Sequence, residues 1–166
     1  MRILILTQYY LPETGAPQNR LSSLAKHLAA FGNEVEILTA MPNYPKYEIF
    51  QGYKGKSYHK EVIDGILVHR SGIYVSKSKA LIKRLANYFS FVISSYFKAK
   101  KIASADVIIC ESPPLFLGIT AVLLKRKWKC KLVFNVSDLW PESAEKMGII
   151  TNKYIIRRSY KLANWI

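Results

Sequence analysis

The chain has 166 residues, half of them hydrophobic, which is enough for one domain with a buried core. This composition excludes a disordered or low-complexity segment. The 25 lysines and arginines against 11 aspartates and glutamates give a formal charge of +14, which favours anionic partners such as phosphorylated substrates, anionic membranes or nucleic acid.

The first half of the chain predicts a strand, a helix and a second strand with short connections. Residues 3–6 form a short apolar run that is typical of a strand buried on both faces. Leucines at helical spacing predict a helix from Gln18 to Phe31, and Gly32 would cap its C-terminus. Residues 34–40 predict the second strand. Together these elements form a βαβ unit, whose crossover is almost always right-handed.

Two further segments follow the second strand. Residues 41–60 form a polar and aromatic connection that is too long for a tight turn, and connections of this length are often functional. The pair Asp64-Gly65 then stands between two apolar runs, which is a strong short-range signal of a β-hairpin.

The second half of the chain returns to alternating strands and helices. Buried strands are predicted at 106–110 and 131–136, with a helix at 114–127 between them. This alternation predicts an α/β fold: a Rossmann-like, doubly wound, mostly parallel sheet with helices on both faces. Such sheets bind ligands beyond the carboxyl ends of their strands. We therefore expect three segments to line one edge: residues 7–28, "ESPPL" from Glu111 and "SDLWPES" from Ser137.

Two residues at this edge allow both a functional and a structural interpretation. Gly15 precedes the first helix, where free backbone amides attract anions and the absence of a Cβ lets a phosphate approach. It could equally form only a turn. Asp138 could cap a helix, or its carboxylate could hold a sugar hydroxyl or assist a proton transfer. The residues alone leave both alternatives open.

Several enzyme classes lack their motifs in this sequence. Neither the G-x-G-x-x-G fingerprint of dinucleotide-binding proteins nor the Walker pattern of nucleotide hydrolases is present. This argues against an oxidoreductase and against a nucleotide hydrolase. His27, His59 and His69 are scattered and no paired-cysteine motif occurs, so no metal site is predicted.

Residues 77–101 are predicted to form one uninterrupted helix with a narrow polar stripe and a wide apolar face. Its apolar centre, Leu85 to Phe97, is shorter than the roughly 20 residues that a membrane span needs. The helix could pack on the sheet, or it could lie in the headgroup layer of an anionic membrane, where each nearby Lys or Arg adds about 1 kcal/mol. Nucleic acid fits less well because no recognised binding motif accompanies the charge. The membrane interpretation assigns the contacts to Lys79, Lys83, Arg84, Phe89 and Phe97.

Four segments, "QYYLPETGAPQNR", "PNYP", "ESPPLFLG" and "DLWPESAEKMG", together resemble the N-terminal half of retaining family 4 glycosyltransferases with the GT-B fold. The resemblance is greatest to the fucosaminyl-type transferases of bacterial O-antigen and capsule synthesis, and it covers essentially the whole chain. It implies that residues 1–166 are the acceptor-side domain. A C-terminal domain, absent from this chain, would hold most of the nucleotide-sugar, so the chain alone would be inactive.

The resemblance also implies a reaction and its residues. A sugar would pass with retention from a nucleotide-diphosphate sugar, expected to be a UDP-sugar, to an acceptor hydroxyl without a metal or other cofactor. Thr14, Gly15 and Ala16 would approach the donor phosphates. Asp138 would be catalytic, and many members carry a histidine where this chain has Ser137. The acceptor-binding residues would be Asn43, Tyr44, Glu111 and Asp138.

The expected location follows from the same resemblance and from the cysteines. Cys110 and Cys130 lie in apolar stretches, and the N-terminal residues lack a signal-peptide pattern, so we expect the reducing cytoplasm. Acceptors in the subgroup are often glycans on polyprenyl diphosphate, which implies a peripheral enzyme at the inner face of the plasma membrane. A non-catalytic module that binds a lipid surface or a sugar-nucleotide is the alternative.

Overall fold

Six β-strands form one sheet in the computed structural model, which describes residues 1–78, 80–137, 142, 146 and 152–166. The strands are β1 (Arg2–Leu6), β2 (Glu34–Ala40), β3 (Tyr58–Ile63), β4 (Ile66–Ser71), β5 (Val107–Ser112) and β6 (Lys131–Val136). Their order is β3-β4-β2-β1-β5-β6, and every neighbouring pair is parallel except β3 with β4. The order reverses at β1, which pairs with both β2 and β5.

Helices cover both faces of this sheet. The described helices are α1 (Ala16–Ala30), α2 (Leu81–Lys98), α3 (Leu117–Trp128) and α4 (Lys153–Trp165). On one face, α1 contributes Leu21 to a buried cluster with Ile5 and other strand residues. On the other face, α2 and α3 contribute Phe91 and Leu117 to a second cluster. The predicted α/β fold, a mostly parallel sheet between helices, is confirmed.

The starts of two helices differ by two or three residues from their predicted positions. Helix α1 begins at Ala16 rather than Gln18, because the fixed φ of Pro17 suits a first helical turn. Helix α3 begins at Leu117 rather than at residue 114. Its first residue donates its backbone N–H to the Pro114 carbonyl in the preceding turn (3.0 Å), so the chain enters the helix through that turn.

The turn residues adopt the backbone geometry that their sequence predicts. Gly32 ends α1 with a φ of 78°, as a C-terminal cap requires. Asp64 and Gly65 join β3 to β4 with φ values of 51° and 79°. Positive φ at both central residues is the mark of a two-residue hairpin turn that matches the twist of its strands, so the hairpin prediction is confirmed.

The uninterrupted helix predicted for 77–101 is wrong in its length. Helix α2 begins at Leu81 and ends at Lys98, and a 3₁₀ turn over Ala99–Lys101 follows it. The preceding residues, 72–78, are not helical.

Side chains of α2 hold this preceding segment in place. Tyr74 donates its backbone N–H to Ser90 Oγ (2.8 Å), and its carbonyl accepts from Asn87 Nδ2 (2.6 Å). Ser94 Oγ donates to the Gly72 carbonyl (2.5 Å). The polar stripe of the helix therefore holds residues 72–74 alongside α2, running in the opposite direction. The chain has to reverse between Tyr74 and Leu81, so the helix cannot continue toward its N-terminus.

The apolar surface of α2 is divided between the core and solvent. Phe91 is fully buried on the sheet and Val92 nearly so. A row of outward side chains remains exposed, which we call the α2 ridge: Ile82, Phe89, Ile93 and Phe97. Each of the two sequence interpretations of this helix thus concerns a different part of its surface. Among the helices that the structure describes, none is long and apolar enough to span a bilayer.

This orientation of α2 makes a prediction about stability. Phe91→Ala should lower the free energy of unfolding by about 3–5 kcal/mol, because it opens a cavity in the core. Phe97→Ala, on the ridge, should change it by less than about 0.5 kcal/mol. Urea denaturation of the two variants measures both effects. Equal losses would contradict the orientation.

Candidate functional site

The carboxyl ends of five parallel strands meet at one edge of the sheet. All three of the segments predicted to line this edge begin there, although residues 138–141 and 143 of the third lie outside the described residues. Helix α1 starts at the switch point between β1 and β5. This edge is the candidate site, because ligands of doubly wound sheets bind at that position.

The glycine loop forms one wall of the site. Gly15 precedes α1 and offers no side-chain cap to the first helical turn, so the free amides and the positive end of the helix dipole remain available to an anion. Thr14 and Ala16 flank it and are exposed. A Cβ on Gly15 would approach Gln18 Oε1 to 2.6 Å. The glycine thus makes room for a buried glutamine.

Glu13 joins this loop to the loop after β2. Its side chain is almost fully buried. One carboxylate oxygen accepts from the backbone N–H groups of Asn43 (2.7 Å) and Tyr44 (2.8 Å), and the other accepts from that of Tyr10 (3.2 Å). Burial raises the pKa of the Glu13 carboxyl above its usual value, and the three amide donors oppose that shift. The predicted residues Asn43 and Tyr44 are therefore held beside the glycine loop by a residue that sequence reasoning missed.

Arg70 binds the loop after β1 from the sheet. Its side chain is fully buried at the end of β4. The guanidinium donates to the carbonyls of Leu11 and Ala40 and pairs with Glu61. Because one cation holds the Leu11 carbonyl in the loop after β1 and the Ala40 carbonyl at the end of β2, that loop and the start of the next connection have a common anchor in the sheet.

Glu111 lies at the end of β5 and organises the opposite wall. Its buried carboxylate accepts from Arg20 Nη2 (2.6 Å), Asn135 Nδ2 (2.8 Å) and Ser137 Oγ (2.5 Å). Arg20, which belongs to α1, also reaches Ser137 Oγ (3.0 Å). The Arg20 side chain is 47% exposed against 3% for that of Glu111. Arg20 is therefore the charged member of this cluster that faces solvent, with Glu111 fixing its direction.

Three buried polar atoms at this edge lack a hydrogen-bond partner among the described residues: Gln8 Oε1, Gln18 Oε1 and Ser112 Oγ. Buried polar groups are normally hydrogen-bonded, so each unpaired one requires an explanation. Their positions, just after β1, at the start of α1 and at the end of β5, surround the switch point.

The other predicted residues are distributed as follows. Asp138 and Lys79 lie outside the described residues. Lys83 and Arg84 are exposed in the first turn of α2. Phe97 is exposed on the α2 ridge, whereas the ring of Phe89 is partly covered by Phe116, with 4.7 Å between ring centroids. The assigned roles of all these residues stay predictions.

Replacing Glu13 with glutamine tests its raised pKa. A carboxyl with a higher pKa in the folded chain contributes stability that is fully present below its unfolded pKa of about 4.3 and is lost as pH rises through the folded pKa. We expect the Tm of the wild-type chain minus that of Glu13→Gln to fall as pH rises from about 4 to 8.

Glu48→Gln is the control for this measurement. Lys77 lowers the pKa of the exposed Glu48 carboxyl, so any pH dependence of that Tm difference should have the opposite sign. A wild-type minus Glu13→Gln difference that grows with pH would contradict the assignment.

Comparison with known proteins identifies the family of the chain. Residues 15–164 match the family model of the glycosyl transferase 4-like domain. Over 151 residues the chain is 30% identical to the protein of Escherichia coli (strain K12) that carries the name colanic acid biosynthesis glycosyl transferase WcaI. This match covers 90% of the chain but only 37% of that protein.

Two solved structures share the fold. The catalytic domain of starch synthase IV from Arabidopsis thaliana, bound to ADP and acarbose, has a TM-score of 0.56 at 16% identity, covering 81% of this chain and 33% of that one. Sucrose-phosphate synthase from Thermosynechococcus elongatus has a TM-score of 0.56 at 13% identity, covering 93% and 36%. With the family match over nearly its whole length, the chain belongs to the glycosyl transferase 4-like family.

Proposed function

We propose that this chain is the acceptor-binding half of a retaining glycosyltransferase. The complete enzyme would transfer a sugar from a nucleotide-diphosphate sugar, a UDP-sugar by expectation, to a glycan on polyprenyl diphosphate in O-antigen or capsule synthesis, as fucosaminyl-type transferases do. A C-terminal domain would bind most of the donor, and the chain alone would be inactive. The chain spans just over a third of the curated relative it matches, which is consistent with a second domain.

The uncapped N-terminus of α1 at the switch point is the observation that carries this proposal. Its free amides can face the phosphates of a nucleotide-sugar, and the loop of Thr14, Gly15 and Ala16 leaves them accessible. The starch synthase that shares the fold is bound to ADP and acarbose. Our proposal transfers this pairing of a nucleoside diphosphate with a saccharide to the present chain.

The acceptor would lie between the two walls of the site. On one side, Glu13 holds the amides of Asn43 and Tyr44. On the other side, Glu111 directs Arg20 toward solvent. A saccharide needs donors and acceptors at fixed positions, and these hydrogen-bonded loops provide them without the entropic cost of ordering on binding. Asp138, which follows β6, is proposed as the catalytic carboxylate for the acceptor hydroxyl.

A membrane location belongs to the same proposal. The α2 ridge exposes Ile93 and Phe97 by 58% and 56%, and Lys100 Nζ lies 5.2 Å from the Phe97 ring centroid. Aromatic side chains beside lysines suit the headgroup layer of an anionic membrane. The enzyme would then work as a peripheral protein at the inner face of the plasma membrane, where lipid-linked acceptors would reach it.

The catalytic proposal is tested in the full-length enzyme. Nucleotide release from UDP-sugars with a lipid-linked acceptor should occur in the wild type. Asp138→Asn should lower kcat by about 10²-fold or more, as for loss of a general acid or base, and should shift the Tm by less than about 2 °C.

Asp106→Asn makes the same chemical change at the opposite edge of the sheet, where Asp106 accepts from the Arg2 N–H (2.7 Å). It should leave kcat unchanged. A large loss of stability with normal turnover in Asp138→Asn would instead identify that residue as a helix cap. No turnover of the wild type with any donor would refute the proposed reaction.

The membrane proposal is tested with vesicles. Ile93→Ser/Phe97→Ser should weaken binding to vesicles containing phosphatidylglycerol at least tenfold, since two inserted apolar side chains are lost. Phe31→Ser/Val62→Ser removes exposed apolar side chains elsewhere, 82% and 67% exposed in the structure, and should bind as the wild type does. Co-sedimentation measures both; equal binding by the two variants would contradict the assignment to the ridge.

A further inference from the structure

A cavity of about 410 Å³ lies beside the candidate site, between the sheet edge and the start of α2. Its walls come from four parts of the chain: the loops after β1 and β2, the segment after β4 and the first two turns of α2. This volume is within the range of pockets that hold small ligands. The residues that line it are Tyr9, Tyr47, Ser76, Lys77, Ser78, Lys83, Arg84, Asn87 and Tyr88.

The lining is cationic and aromatic. Among the described residues it contains Lys77, Lys83 and Arg84 but no carboxylate. Glu48 pairs with Lys77 (2.5 Å), whereas in the described part of the chain neither Lys83 nor Arg84 lies within 4.0 Å of a carboxylate. Two positive charges thus converge on the cavity without an internal counter-charge, and an anionic ligand can supply it.

The positions of these groups are fixed by their neighbours. Asn87 Oδ1 accepts from the buried Gln8 Nε2 (2.9 Å), and Asn87 Nδ2 donates to the Tyr74 carbonyl (2.6 Å). These bonds hold the start of α2 against the first loop. Lys83 Nζ lies 5.7 Å from the centroid of the Tyr74 ring. The start of α2, which carries Lys83 and Arg84, is therefore anchored to the first loop beside the cavity.

Three tyrosines line the cavity, Tyr9, Tyr47 and Tyr88, and they make it suitable for more than a bare ion. Tyr9 is partly buried, and its ring meets that of Tyr44 edge to face with centroids 6.0 Å apart. Tyr44 in turn contacts Tyr47 at 6.2 Å. The rings provide flat apolar surface next to the cations. A phosphate ester that carries an organic group matches this combination better than inorganic phosphate does.

We propose that this cavity binds the phosphate or diphosphate of the acceptor, with Lys83 and Arg84 contacting the phosphate oxygens. The inference rests on the proposed function and adds the place where the phosphates of the acceptor would bind and the residues that would contact them. The Tyr9–Tyr44 contact connects the cavity to the loop that Glu13 holds. Lys83 and Arg84, predicted from sequence as membrane contacts, thereby gain a role in binding one ligand.

Isothermal titration of the chain tests the cavity without requiring turnover. The ligands are geranyl diphosphate, inorganic diphosphate and glucuronate. Geranyl diphosphate should bind most tightly, inorganic diphosphate more weakly, and glucuronate not measurably. Glucuronate binding as tightly as either diphosphate would overturn the assignment to phosphate. Inorganic diphosphate binding as tightly as geranyl diphosphate would overturn the assignment to an acceptor ester and indicate a free-phosphate site.

Two double variants distinguish binding in the cavity from a general attraction of anions to a basic protein. Lys83→Gln/Arg84→Gln should weaken geranyl diphosphate binding at least tenfold. Lys98→Gln/Lys100→Gln removes the same charge from the other end of α2, roughly 20 Å away at 1.5 Å per residue, and should bind within twofold of the wild type. An equal loss in both variants, or no loss in the first, would overturn the proposal. Circular dichroism confirms that both variants are folded.

This experiment can fail independently of the proposed reaction. If the full-length wild type releases nucleotide with a lipid-linked acceptor while the chain shows no site-dependent diphosphate binding, the cavity assignment fails and the reaction stands. If the chain binds diphosphate as expected but the full-length enzyme transfers no sugar, the cavity stands as an anion site and the proposed reaction fails.

Discussion

Parallel pairing of five strands is the constraint on which the rest of this structure depends. Because β1, β2, β4, β5 and β6 all point the same way, their following connections all emerge at one edge. Connections carry unpaired backbone groups, which must find partners when they are buried. At this edge the partners are charged side chains: Glu13 for three amides and Arg70 for two carbonyls. The site is thus shaped by the requirement to satisfy the backbone of the loops.

The chain has a formal charge of +14, and at the candidate site its positive and negative side chains occupy different places. Glu13 and Glu111 are buried and surrounded by donors, so these carboxylates act within the protein and present little negative charge to a ligand. Arg20, Lys83 and Arg84 are at least partly exposed at the same edge. An approaching anion therefore meets cations first, whereas the carboxylates fix the loops and the guanidinium that it would contact. The exposed cations and the buried carboxylates both favour a phosphorylated ligand over a neutral one.

Local patterns were sufficient for most of the fold but for less of the site. The hairpin at Asp64-Gly65 and the strands of the sheet depend on neighbouring residues, and the sequence predicts them well. Helix α2 was predicted too long because its periodicity cannot reveal that Asn87 bonds to Tyr74. Glu13 was missed because two of its three partners are 30 and 31 residues away, and the contact of Arg20 with Glu111 spans 91. The sequence does show such polar residues inside apolar or turn-forming stretches. It does not show which distant residue each of them contacts.

The two proposals for α2 require a common order along the acceptor. In a lipid-linked glycan, the diphosphate lies between the hydrocarbon chain and the sugars, at the level of the headgroups. The α2 ridge extends over roughly 22 Å from Ile82 to Phe97 at 1.5 Å per residue, and Lys83 lies next to its first residue. The cavity therefore begins where the ridge begins, and its Tyr9 contacts Tyr44 in the loop of the proposed acceptor residues. Lipid, phosphate and sugar would thus meet the ridge, the cavity and the sheet edge in the order in which they are joined.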